Sequence, residues 1–266
     1  MGKTGCFDRL PCQETEMKIL EKINSPEDLK RLKIKQLEKL AAQIRNRILT
    51  VTSQKGGHVA PNLGAVELTI ALHYVFDTPR DKIIWDVGHQ CYAHKLLTGR
   101  RKEFDTIRQY KGISGFPKRS ESAYDEFGTG HAGTSVSAAF GLANARDIKG
   151  EDFSVIAVIG DGSMISGMAL EAMNHVGAAQ TTDLMVILND NAQSIGKSTG
   201  ALSDYLARIT ARFTLTGFYQ RLRARVWNIF GRFFRRRSQH LRGWARRLER
   251  GIKGILTPGG YFEDMG

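Results

Sequence analysis

The stretch FSVIAVIGDGSMISGMALEAMNHVGAAQTTDLMVILNDN, residues 153–191, decides the fold. It opens on an unbroken apolar run, 153–160, the pattern of a strand buried on both faces. A helix-like segment, 164–179, follows, and then a second buried apolar run, DLMVILND at 183–190. Strand, helix and strand in that order predict a parallel pair joined by a crossover helix, within an α/β fold whose mostly parallel sheet carries helices on both faces. In such sheets ligands sit at the carboxyl ends of the strands. Asp161 and Asn191 each fall just past a strand end, 30 residues apart, so adjacent strands bring both side chains to one place.

A carboxylate and an amide carbonyl are hard oxygen ligands. They suit Mg²⁺, which takes few protein oxygens and completes its shell with phosphate oxygens. Gly160 and Gly162, on either side of Asp161, leave room for a diphosphate against the backbone. The helix that follows offers its N-terminal N–H groups and positive dipole end. The stretch therefore reads as a metal–diphosphate cradle. A lone G-D-G is more often an ordinary turn; the two apolar runs, the crossover and the second polar cluster favour the cradle. No G-x-x-x-x-G-K-[ST] is present, which excludes a P-loop.

Upstream, SPEDLKRL opens a helix, with Ser25 placed to cap, Pro26 at the first position and Asp28 at the third. Leu37, Leu40, Ile44 and Ile48 continue as an amphipathic stripe. KGGHVAPNLG (55–64) breaks the helix, AVELTIALHYVF (65–76) reads as a buried helix, and KIIWDVG (82–88) as a short strand ending in a turn. Residues 98–130 are polar and glycine-punctuated, a long loop with a helical turn, and TSVSAAFGLANARDI (134–148) is a small-residue helix. His73, His94 and His175 lie in helices and read as structural, as does Glu171; Met164, Met168 and Met173 read as core. His58, His89 and His131 each follow a glycine in a loop, where site residues concentrate.

The chain has 266 residues, 41% of them hydrophobic, and no stretch apolar enough to span a bilayer. Its N-terminus lacks the apolar core of a secretory signal and misses the myristoylation pattern at Cys6. Three cysteines, Cys6, Cys12 and Cys91, without C-x-x-C spacing argue against a disulfide framework or zinc site and point to the cytoplasm. The formal charge of +12 is concentrated: residues 208–253 carry 14 Lys/Arg against Glu249 alone, and the remainder sums to −1. Within that segment arginines alternate with Trp227, Phe230, Phe233, Phe234 and Trp244. It reads as a basic helical or disordered piece: a solvated loop, a membrane-surface helix or a grip on a partner chain. Nucleic acid is disfavoured, since no recognition fold accompanies the charge. The expected organisation is a disordered extension (1–16), a diphosphate- and Mg²⁺-binding domain (17–207) and the basic segment with a connection (208–266).

The longer motifs GGHVAPNLGAVELTIALHYVF, IIWDVGHQCYAHKLLTGR, SGFPKRSESAYDEFGTGHAGTS and VIGDGSMISGMALEAMNHVG…MVILNDNAQSI resemble the 1-deoxy-D-xylulose-5-phosphate synthase family, a transketolase-like group, over about Met17 to Gly266. The resemblance implies a thiamine-diphosphate-binding fold. It implies Mg²⁺ held by Asp161, Asn191 and the Gln193 carbonyl; diphosphate contacts at Gly162 and Ser163; a cofactor lining of His89, Gly130, His131 and Ala132; and His58 facing the reacting atoms. The implied reaction condenses pyruvate with glyceraldehyde 3-phosphate, with loss of CO₂. The family continues into a pyrimidine-binding domain that holds the cofactor-activating glutamate. This chain is therefore expected to be half of a site, completed in a homodimer or by a separate C-terminal polypeptide. A subunit of a split transketolase-like enzyme and a non-catalytic adaptor acting through the basic segment are the alternatives.

Overall fold

Pro26 and Asp28 do what their residue types predict, while Ser25 holds the N-cap position without a capping bond from its own side chain. Asp28 Oδ2 accepts the N–H groups of Asn24 (2.9 Å) and Ser25 (3.2 Å), closing the start of α1 (Pro26–Lys30). The computed structural model describes residues 19–179 and 182–189. The expected N-terminal extension, Asn191, Gln193 and the basic segment lie outside these residues. The described residues fall into two compact units, one made of 19–78 and Gln90–Gly115, the other of Pro79–His89 and 116–189.

The first unit is helical. α1 does not run on into the leucine stripe: α2 (Ile34–Lys55) starts afresh, its entry closed by Gln36 Oε1 accepting from the Lys33 N–H at 2.9 Å. Leu40, Ile44 and Ile48, four residues apart, fall on one face of α2 and are completely buried. The 55–64 break contains one short turn of its own, α3 (Ala60–Gly64), followed by α4 (Val66–Val75). Later come α5 (Tyr92–Leu97) and a 3₁₀ turn at Phe104–Thr106. Leu29, Tyr92, Leu96, Leu97 and Phe104 complete the core against the α2 stripe.

The second unit holds the sheet. β1 (Lys82–Trp85), β2 (Val155–Gly160) and β3 (Met185–Asn189) run parallel in the order β1-β2-β3. The crossover from β1 to β2 includes α6 (Ser135–Lys149). That from β2 to β3 divides into a single turn, α7 (Asp161–Met164), and α8 (Gly167–Ala178). Ser166 breaks the expected continuous helix by capping α8, its Oγ accepting from the Ala169 N–H at 3.3 Å. Val155, Ala157 and Ile159 share one face of β2 and cluster with Ala139 and Ala143 of α6 and Ala169 and Ala172 of α8. The small side chains let the helices approach the sheet closely. Ile156 and Val158, on the opposite face, are buried too. Two acids bracket β1: Asp81 Oδ1 accepts from Ser154 N–H at 2.7 Å, and Asp86 follows the strand.

Two further expectations are corrected. β3 is not a fully buried strand: Met185 is exposed and its other residues are half-buried, with Val186 and Leu188 packed only partly against the cluster that α6 and α8 form on the sheet. Met168 is not core either; it is 55% exposed on the first turn of α8, whereas Met164 is buried.

Candidate functional site

Parallel registration places the ends of β2 and β3 side by side. Gly160 pairs with Asn189, so Asp161 follows the last paired residue of β2 where β3 is also ending. Asp161 is half-buried and Gly162 exposed, and no atom lies within 4 Å of where a Cβ on Gly162 would stand. Ser163 is buried. The helix after the motif is thus a four-residue turn rather than the long dipole expected, and Asp161 itself begins it. Asn191 and Gln193, the other expected Mg²⁺ ligands, fall outside the described residues. Among the described residues no three His, Cys, Asp or Glu side chains converge on a metal position.

The end of β1 is joined to the loop before α6. Asp86 Oδ1 accepts from the Gly133 N–H at 2.9 Å and Oδ2 from the Ser135 N–H at 3.0 Å. The next residues turn sharply: Val87 has φ 56°, and the Gly88 N–H donates to the Asp86 carbonyl at 2.5 Å. Gly88, at φ +85°, is pressed so close that a Cβ would fall 2.2 Å from Thr129 Oγ1 and 2.3 Å from Pro117 Cδ. Only glycine fits both the dihedral and the space. His89 therefore leaves a turn packed against Thr129, the residue before Gly130, His131 and Ala132.

Those three residues are exposed, and nothing lies within 4 Å of a Cβ position on Gly130. Gly133, just after them, is buried at φ +82°, and a Cβ there would meet Ser166 Oγ at 2.1 Å. The 130–132 backbone is consequently pinned between the end of β1 and the cap of α8. Among the described residues the buried Thr129 and Ser135 hydroxyls have no hydrogen-bond partner. Open glycines, exposed backbone and an unmet hydroxyl at Thr129 are chemistry that fits an anionic, oxygen-rich group.

His58 belongs to the helical unit. It follows α2 and is half-buried. Its N–H donates to Tyr92 Oη at 3.3 Å and its carbonyl accepts from Asn62 Nδ2 at 2.6 Å. Burial first, and the Arg108 guanidinium second, hold the imidazole below its ordinary pKa. It is therefore neutral at pH 7. Asp86, Asn62 and Tyr92 are the supporting residues that sequence reasoning missed. An acid after a strand and an asparagine in a Pro-Asn-Leu-Gly break gave no signal beyond ordinary turn chemistry.

The fold is that of the transketolase class. The chain is similar to a transketolase variant from Pichia Stipitis with a TM-score of 0.55, at 22% identity over 62% of this chain and 29% of that one. The sequence profile of the 1-deoxy-D-xylulose-5-phosphate synthase family matches residues 20–266, and the chain belongs to that family. It is 51% identical over 248 residues to the synthase of Chlorobaculum tepidum, covering 93% of this chain and 38% of the relative. It is 52% identical over 252 residues to that of Carboxydothermus hydrogenoformans, covering 93% and 39%. The chain thus spans under two fifths of the length of these curated relatives. The profile match runs through the arginine-rich segment, making that segment part of the family match. Among the described residues no helix is long and apolar enough to cross a membrane.

Proposed function

We propose that this chain is the diphosphate-binding part of a thiamine-diphosphate-dependent transferase of the transketolase type. The observation that carries it is the position of Asp161, between Gly160 and the open Gly162, at the carboxyl end of β2 and beside the end of β3. Asp161, Asn191 and the Gln193 carbonyl would hold Mg²⁺ against the diphosphate. Gly162, Ser163, Gly130, His131, Ala132 and His89 would line the bound coenzyme. When bound, thiamine diphosphate supplies a carbon nucleophile and an electron sink for decarboxylating a 2-oxo acid.

The chain's own contribution is position and charge. The exposed 130–132 backbone and the site around Asp161 orient the diphosphate end. His58, neutral at pH 7 because of burial and Arg108, takes a proton from a substrate oxygen and returns it. The full reaction is condensation of pyruvate with glyceraldehyde 3-phosphate, releasing CO₂. We place it in the cytoplasm, with the rest of the site contributed within a homodimer or by a separate C-terminal polypeptide.

The test is pyruvate decarboxylation in the presence of glyceraldehyde 3-phosphate. It is measured for the purified chain and again after mixing with the separately expressed remainder of the Chlorobaculum tepidum synthase. Turnover is expected on mixing and absent, or at least ~10²-fold lower, for the chain alone, because acid–base assistance contributes at least that much. Robust turnover by the chain alone contradicts the half-site reading; none in either arm contradicts the transferase reading.

A further inference from the structure

Asp86 is 4% exposed, and both of its oxygens accept backbone N–H groups from the segment that enters α6. A buried carboxylate needs such partners, and the first turn of a fifteen-residue helix supplies a favourable field for it. A plain helix-capping role would end there. Here the same residue also starts the turn that carries His89, and that turn is held in an unfavourable shape. Val87 is β-branched and sits at φ 56°, with its neighbour Gly88 closed onto the Asp86 carbonyl. Strain of this kind persists only where the surroundings over-determine it, and it clusters at binding sites. Between the two pinned ends, Val87–Gly88 on one side and buried Gly133 on the other, the exposed part is Gly130–Ala132.

From this arrangement we infer that Asp86 is a positioning residue. Its carboxylate ties the His89 turn to the Gly130–Ala132 loop, so that both present one fixed surface to the diphosphate-bearing coenzyme. It touches no coenzyme itself. It acts through the Gly133 and Ser135 N–H groups, setting the shape of the backbone that does. The inference rests on the coenzyme-binding reading above.

The experiment compares wild type, Asp86→Asn and Asp161→Ala, using the whole chain. Asparagine has the shape of aspartate but keeps one acceptor and turns a donor toward the second N–H. Calorimetric titration with thiamine diphosphate in excess Mg²⁺ gives the dissociation constant. Amide hydrogen exchange of the uncomplexed chain reports on residues 129–136, and the melting temperature reports on global stability. Asp86→Asn is expected to bind about tenfold or more weakly and to exchange faster at Gly133 and Ser135, with a melting temperature within a few degrees of wild type. A merely structural role would lower the melting temperature and leave the folded chain's affinity unchanged. Should Asp86→Asn not fold, Asp86→Ser, which keeps one hydroxyl acceptor, carries the same comparison. Heat from wild type with an equal dissociation constant in the Asp86 variant overturns this inference alone. No coenzyme-dependent heat from wild type overturns the functional reading and this inference together.

Discussion

Asn62 clasps Tyr92: its Oδ1 accepts the Tyr92 N–H at 2.9 Å, while its Nδ2 donates to the His58 carbonyl at 2.6 Å. Tyr92 returns the contact by accepting the His58 N–H on its hydroxyl at 3.3 Å. One fully buried asparagine thus fixes both the start of α5 and the backbone that carries His58.

Asn62→Ala leaves the Tyr92 N–H unsatisfied within the helical unit. A buried donor stranded in this way costs about 1–3 kcal/mol. Urea unfolding should show that loss as a lower midpoint at unchanged slope. A midpoint within error of wild type would mean that the clasp contributes nothing.

His73 predicts a pH dependence. Its Nε2 lies 2.9 Å from His94 Nδ1, its Nδ1 lies 2.9 Å from Thr78 Oγ1, and it is fully buried. Burial, then the neighbouring His94, Arg100 and Lys30, hold its pKa well below the ordinary histidine value. The unfolded chain therefore binds a proton near pH 6.5 that the folded chain refuses. Stability is full above about pH 6.5 and falls as pH drops below it, by up to ~1.4 kcal/mol per pH unit for one such group. His58, lowered in the same direction, adds to the slope. Unfolding free energies from pH 7.5 to 5 should fall accordingly, and His73→Gln should flatten the decline. An unchanged slope in that variant would show that His73 is not the group responsible.

The small-residue packing between sheet and helices gives a third expectation. Ala157 on β2 is fully buried and clusters with Ala139, Ala143 and Ala169. Ala157→Leu adds three carbons at a fully buried position and should cost about 1–3 kcal/mol or more. Ile148→Ala, at an 86% exposed position, should be near neutral. Thermal melts of the two variants check the contrast; equal melting temperatures would contradict close packing.

Much of this was legible in the chain itself. The unbroken VIAVI run marked β2 because a strand covered on both faces has no polar alternation to show. Pro26 and Asp28 marked a helix start: proline suits the first position, where an N–H would have no partner, and Asp28 accepts the N–H groups just before the helix. The break at Ser166 was hidden: serine inside an apolar helical pattern signals a cap only once the chain is known to turn there. The partial exposure of β3 was hidden as well, since an apolar run reads alike whether its strand is fully or only partly covered. The Asp86 tether joins residues 47 and 49 positions apart, and nothing local announces a contact of that range.

The central claim is that Asp161 marks a Mg²⁺–diphosphate site, and calorimetry with thiamine diphosphate tests it most directly. Titration of the wild-type chain with excess Mg²⁺ should give saturable heat that disappears when Mg²⁺ is chelated. Asp161→Ala should abolish the heat, and Asn191→Ala should weaken binding as well. Binding by Asp161→Ala equal to that of wild type, or wild-type binding indifferent to Mg²⁺, would contradict the account.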